Sequence, residues 1–183
     1  MAQPVPLKRL IVARWDEDTA WTSEYSGWQT VVVQKDRDLP NEGREASSYL
    51  WALSWLRARI RLGDVIVFLQ GEPYAHCPEL KQQLEQPITG FCWLGGIHTS
   101  SGDGSPHHPG LPVAERHQEW TGRPWPGGSV QFAAGAQFAI TGRQARLHTA
   151  ARYRNLQAAM CEGDNPWVAE RLWAAVFDAA VYT

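Results

Sequence analysis

The residues able to do chemistry cluster where apolar runs end. Arg14, Asp16 and Glu17 follow Leu10-Ile11-Val12-Ala13, and Lys35 closes a second run that includes Val31-Val32-Val33. Gln70 and Glu72, with His76 four residues further on, follow a third run, Val65-Ile66-Val67-Phe68-Leu69. Between the second and third lies Asn41-Glu42-Gly43-Arg44-Glu45, and late in the chain stands Glu170. Arg14 and Arg44 offer planar cations that grip phosphate or carboxylate at two points. Asp16, Glu17, Glu45 and Glu72 offer acceptors that orient hydroxyl or amine groups. Glu170 shares a helix face with Trp173, three residues on, and a carboxylate beside an indole suits general-base work near neutral pH. The alternative is plain: Asn41 caps a helix, Arg44 pairs with Glu45, and Glu170 with Arg171 is a surface ion pair.

The elements that must position these groups follow from periodicity. Lys8–Arg14, Trp28–Lys35 and Val65–Leu69 read as buried strands. Pro40 and Gly43 break the chain after the second strand. Ala46, Tyr49, Leu50, Leu53, Leu56 and Ile60 then recur every three or four residues, which predicts a helix reaching about Leu62, with Gly63-Asp64 as its stop. Asn41, Arg44 and Glu45 therefore sit at a helix N-terminus, where unpaired N–H groups and the helix dipole favour an anion.

Strand, short helix at Thr19–Tyr25, strand, helix, strand predicts a single α/β domain over residues 1–183, with a mostly parallel central sheet and flanking helices. In such sheets the ligand crevice lies beyond the carboxyl ends of the strands, so the polar strand ends are expected to converge. Residues 99–128, rich in Gly, Pro, Ser and His, are expected to be a long irregular segment forming a lid or wall of that crevice. Ser129–Phe132 and Gln137–Ile140 read as short strands. Pro78–Gln86, Ala150–Met160 and Pro166–Phe177 read as helices.

Composition narrows the function classes. The 17 Lys and Arg against 19 Asp and Glu leave a net charge of −2, which argues against a nucleic-acid partner. No apolar run approaches membrane-spanning length, so membrane insertion is not expected and the chain reads as cytoplasmic. Cys77, Cys92 and Cys161 are odd in number and widely spaced, which suits neither a disulfide framework nor a zinc ribbon. The six His lack ligand spacing, and only Glu72 with His76 suggests a divalent cation pair. Hydrolase elbows, P-loops and dinucleotide fingerprints are absent. Ten Trp make the chain tryptophan-rich, a property of cores and of sites for planar ligands alike.

Several stretches in order resemble the proteins grouped as domain of unknown function 3431. They are Val12-Ala13-Arg14-Trp15-Asp16-Glu17-Asp18, Leu39–Leu50, Phe68–Pro73, Gly135-Ala136-Gln137-Phe138 and Glu170-Arg171-Leu172-Trp173, with Trp15 and Asp16 replacing the usual Tyr and Asn. That family carries no assigned activity. More distantly, Asn41–Glu45 and Gly135–Phe138 resemble A-type glycosyltransferases of the rhamnan-synthesis F kind. This second resemblance implies a minimal A-type fold acting on a nucleotide-sugar or similar phosphorylated donor. Arg14 and Arg44 would hold phosphate, Asp16 and Glu17 would orient sugar or base, and Glu170 would deprotonate the acceptor. Gln137 joins the substrate-binding set through the same motif. Most such enzymes carry D-x-D where this chain has Gln70-Gly71-Glu72. Either Glu72 and His76 hold a divalent cation, or Arg14, Lys35 and Arg44 neutralise the diphosphate without one, which is the preferred expectation. The alternatives are a natural-product tailoring enzyme on the same scaffold and a non-catalytic small-ligand binder.

Overall fold

Leu10, Ile11, Val12 and Ala13 are all buried, because β1 (Lys8–Arg14) runs between two parallel neighbours and is covered on both faces. The computed structural model describes residues 5–178. A 3-10 turn at Ala20–Tyr25 leads into β2 (Gln29–Gln34), then α1 (Arg44–Leu56) and β3 (Val65–Gln70). There follow α2 (Leu80–Glu85), the short strands β4 (Cys92–Trp93), β5 (Ile97–Ser101), β6 (Gly104–Ser105) and β7 (His108–Pro109), and α3 (Val113–Thr121). The chain continues with β8 (Ser129–Ala133), a 3-10 turn at Ala134–Ala136, β9 (Phe138–Thr141), α4 (Gly142–Ala145), α5 (Ala150–Ala159) and α6 (Asn165–Val176).

The main sheet has the order β2-β1-β3-β9-β4. Its first half is parallel, with Leu10 opposite both Thr30 and Val67, whereas β9 is antiparallel to both β3 and β4. A second sheet, β7-β6-β5-β8, is wholly antiparallel. The expectation of a mostly parallel sheet is thus corrected: this is one α/β domain with mixed sheets. The long connection through α2, the second sheet and α3 ends at the 3-10 turn beside the carboxyl end of β3, so β9 enters there and runs back antiparallel, with Phe68 opposite Phe138 and Val65 opposite Thr141.

Alternation along the strands divides the core. Ile11, Ile66, Phe68, Phe138 and Ile140 face the side that α1, α5 and α6 cover. Leu10, Val12, Val67, Leu69 and Ala139 face Tyr25, Leu80 and Leu84 on the other. On the first side Phe68, Phe138 and Trp173 stack in series, with centroids 4.6 and 5.2 Å apart. The apolar stripe of α1 is buried as its spacing predicts, although the helix ends at Leu56 and Ile60 is buried from the turn beyond it. At the amino ends of the strands, the fully buried Asp64 carboxylate accepts from Arg9 Nη1 (2.6 Å) and from the N–H groups of Leu7 (2.9 Å) and Arg61 (3.0 Å). This clasp holds β1 to β3 on the side opposite the crevice.

Residues 99–128 are not the irregular segment the composition predicts. The Gly102-Asp103 turn joins β5 to β6, β7 extends the meander, and Val113–Thr121 is helical, with Val113, His117 and Trp120 buried. From this stretch Ser105, His107 and His108 border a cleft whose lining also takes in Arg44, Glu45 and Gln70.

Candidate functional site

The parallel strand ends do converge. A polar compartment of about 200 Å³ is lined by Arg14, Trp15 and Glu17 after β1, by Lys35 after β2, by Asn41, Arg44 and Glu45 at the start of α1, and by Gln70 at the end of β3. A second compartment of about 250 Å³ shares Arg44, Glu45 and Gln70 with it. That one is lined further by Phe132, Pro166 and Trp167, by four imidazoles (His76, His98, His107, His108), and by Glu170 and Arg171 of α6. The two therefore meet at the N-terminus of α1.

Local backbone explains the junction. Gly43 (φ 66°) and Arg44 (φ 48°) are consecutive left-handed residues. A side chain on Gly43 would come within 2.7 Å of Ser47 Cβ and 2.9 Å of the Met160 carbonyl oxygen. The helix N-cap is thus Gly43, without a side-chain cap, and not Asn41. A left-handed arginine is strained, and such strain gathers at functional sites. Arg44 Nε lies 3.4 Å from Glu45 Oε2, its Cζ lies 5.2 Å from the Trp167 ring centre, and its side chain is half exposed. Among the described residues its terminal nitrogens have no hydrogen bond. Glu45 is held in turn by Gln70, whose Nε2 donates to Glu45 Oε1 (2.6 Å).

Other predicted site residues have structural duties. Arg14 Nε donates to the Glu17 carbonyl (2.7 Å), and Glu17 Oε2 accepts from the Trp15 N–H (2.7 Å), which shapes the rim. Lys35 lines the polar compartment, but it is buried and its Nζ donates to the Glu42 carbonyl (2.5 Å), tying the turn before α1 to β2. Burial pushes its ammonium below the ordinary lysine value, against the pull of nearby carboxylates. The Gln137 side chain is fully buried, and its Nε2 donates to the Pro73 carbonyl (3.0 Å), so it braces the loop after β3 and lines neither compartment. Asp16 and Glu72 are exposed and also line neither. Among the described residues no group of three or more His, Cys, Asp or Glu is placed to hold a metal ion.

Glu170 lies in the crevice wall with both oxygens engaged. Oε1 accepts from the Gly135 N–H (2.7 Å), and Oε2 accepts from Arg171 Nη1 (3.0 Å). The sequence offers Glu170 and Arg171 as a surface ion pair, with the general-base role as the competing reading. The pair is present but lies in the crevice wall rather than on the surface, and the long arginine side chain folds back along its own helix to make it. Arg171 is itself buried and also donates to the Trp167 and Ser105 oxygens, and burial lowers its guanidinium's affinity for the proton. Gly135 (φ 79°) is required at the join. A side chain there would meet His76 Cδ2 at 2.6 Å and Gln70 Oε1 at 3.0 Å.

Sequence reasoning singled out none of His98, His107, His108, Trp167 and Arg171 as wall residues, although His107 and His108 lie in the 99–128 stretch expected there. The Gly102-Asp103 turn between polar stretches was the available hairpin signal for three of them. Comparison with family models, with curated proteins and with solved structures gave no match.

Proposed function

We propose that the chain is a glycosyltransferase-like enzyme that binds a nucleotide-sugar or similar phosphorylated donor, in a minimal A-type arrangement and in the cytoplasm. The observation that carries this reading is the pair of unlike compartments joined at Arg44 and the first turn of α1. A donor has two unlike ends joined by a diphosphate. The junction offers the diphosphate the unengaged terminal nitrogens of Arg44 and the helix N-terminus. Trp15, exposed on the polar rim, gives one end a planar surface, and Trp167 and Phe132 flank the other. The parallel half of the main sheet, which delivers the junction, supports the A-type comparison, and the three free cysteines suit a reducing compartment.

The position where such enzymes carry D-x-D does not fit a divalent cation. Gln70 is a neutral amide already bonded to Glu45, and Glu72 is exposed and outside the crevice lining. In the transfer, the bond from the sugar carbon to the phosphate oxygen breaks while a bond to the acceptor oxygen forms. Arg44 receives the charge that develops on the leaving phosphate. The acceptor proton passes to His76, whose ring lines the compartment and has no hydrogen bond among the described residues. Glu170 fits a structural role better than the base role, since both its oxygens are taken. The same fact favours the second reading, a non-catalytic binder of the same ligand class.

The test is a nucleotide-sugar panel in thermal shift followed by a turnover assay. A matching donor at 100 times its dissociation constant adds about 2.7 kcal/mol. For a chain of 183 residues that raises the melting temperature by roughly 5–11 °C. A shift with hydrolysis or transfer supports the enzyme, a shift without turnover supports the binder, and no shift across the panel removes both.

A further inference from the structure

We propose that Arg171 fixes His108 as an Nε2–H donor, and that this donor and Arg44 together receive an oxyanion of the ligand in the aromatic compartment. Each terminal nitrogen of a guanidinium carries two hydrogens. Arg171 Nη1 directs its pair to the Trp167 carbonyl (2.6 Å) and Glu170 Oε2 (3.0 Å). Nη2 directs its pair to Ser105 Oγ (3.3 Å) and His108 Nδ1 (3.2 Å). A guanidinium has no acceptor, so Nδ1 must be the accepting nitrogen, and the ring proton sits on Nε2. Arg171 cannot turn away to release this tautomer. It is buried, Glu170 and the Trp167 carbonyl hold one end of it, and its Cζ lies 4.4 Å from the Phe132 ring centre.

His108 Nε2 makes no hydrogen bond among the described residues, and the ring lines the compartment beside Trp167, with centroids 6.0 Å apart. Arg44 covers the same indole. The carboxylates nearby are already engaged: Glu170 by Gly135 and Arg171, and Glu45 by Gln70 and Arg44. What His108 Nε2 and the terminal nitrogens of Arg44 leave unfilled is donor capacity, which calls for an acceptor-rich anionic group, a carboxylate or a phosphoryl. In this scheme His108 touches the ligand, while Arg171 and Glu170 are positioning residues that act through it. The oxyanion half of the inference rests on the crevice being the ligand site; the tautomer half does not.

The experiment is long-range proton–nitrogen NMR on the histidine rings of the full chain, first alone and then with inorganic pyrophosphate or with benzoate. The expected result is an unprotonated Nδ1 and a protonated Nε2 on His108 in the free protein. Its Nε2–H signal then moves with one of the two anions, and which one moves it identifies the source of the oxyanion. His108→Gln, which keeps an N–H near the Nε2 position, should retain most of that affinity. His108→Asn, which cannot reach that position, should weaken it by about tenfold or more. An Nδ1–H tautomer in the free protein overturns the proposal even if every variant folds. The right tautomer with no response to either anion overturns its oxyanion half. Anion binding at His108 without nucleotide-sugar binding would leave this inference standing and remove the glycosyltransferase reading.

Discussion

Replacing Gly135 by alanine tests whether the wall of the crevice is as tightly built as the contacts suggest. Two costs arise. The backbone sits at φ 79°, where an L-residue is strained by about 1–2 kcal/mol. The new methyl also lands 2.6 Å from His76 Cδ2, 2.9 Å from Cγ and 3.0 Å from Gln70 Oε1, an overpacking worth about 1–3 kcal/mol. Gly127 separates the two, because it has φ 87° but nothing within 4 Å of its would-be side chain. Gly127→Ala should therefore lower the melting temperature by roughly 2–8 °C, and Gly135→Ala by roughly 4–20 °C, at about 2–4 °C per kcal/mol. Scanning calorimetry of both variants reads the difference directly. Gly135→Ala should also displace the His76 ring and so reduce turnover, whereas Gly127→Ala should not. Equal melting temperatures for the two variants would refute the packing of His76 on Gly135 and the base role built on it.

Other expectations concern single groups. Arg44→Lys should keep the melting temperature, because the side chain is half exposed, yet lower nucleotide affinity about tenfold, since lysine lacks the two-pronged grip; unchanged affinity by calorimetry makes Arg44 structural. Glu170→Gln leaves buried Arg171 without its carboxylate and should cost about 3–5 kcal/mol, read as a fall of roughly 6–20 °C; an unchanged melting temperature with lost turnover would restore Glu170 as the base. For Asp64, burial alone would raise the carboxyl's pKa, but bonds from the Arg61 N–H, Arg9 and the Leu7 N–H outweigh it and hold the pKa below the ordinary value. A depressed folded pKa means the contribution is complete above the unfolded value of about 3.9 and is lost as pH falls through the folded one. Denaturant midpoints measured between about pH 5 and 2 should therefore fall less steeply in Asp64→Asn than in wild type, although that variant starts from a lower plateau.

How far the sequence could be read varied with the physics at each position. β1, β3 and the stripe of α1 were legible because burial on both faces writes continuous apolar runs, and one-sided burial writes a 3.6-residue period. From those strands came the junction of Arg14, Asn41, Arg44 and Gln70, which needs only the rule that a crevice lies beyond carboxyl ends. The direction of β9 was not legible, since a four-residue strand reads the same either way. The β5–β7 meander was hidden because polar, half-covered strands of two to five residues leave no clear alternation. Side-chain assignments fared worst where a long side chain had a choice. Lys35 is a cation whose Nζ donates to the Glu42 carbonyl, and residue type alone points such a cation at a ligand. Gln137 likewise matched a motif while its amide braces Pro73.

The most direct measurement is a crystal structure of the chain grown with a nucleoside diphosphate. Diphosphate density should lie against the Arg44 guanidinium and the first turn of α1, with the base beside Trp15 and the terminal phosphate directed toward Trp167 and His108. Diphosphate bound away from Arg44, or an empty crevice at saturating nucleotide, would contradict this placement.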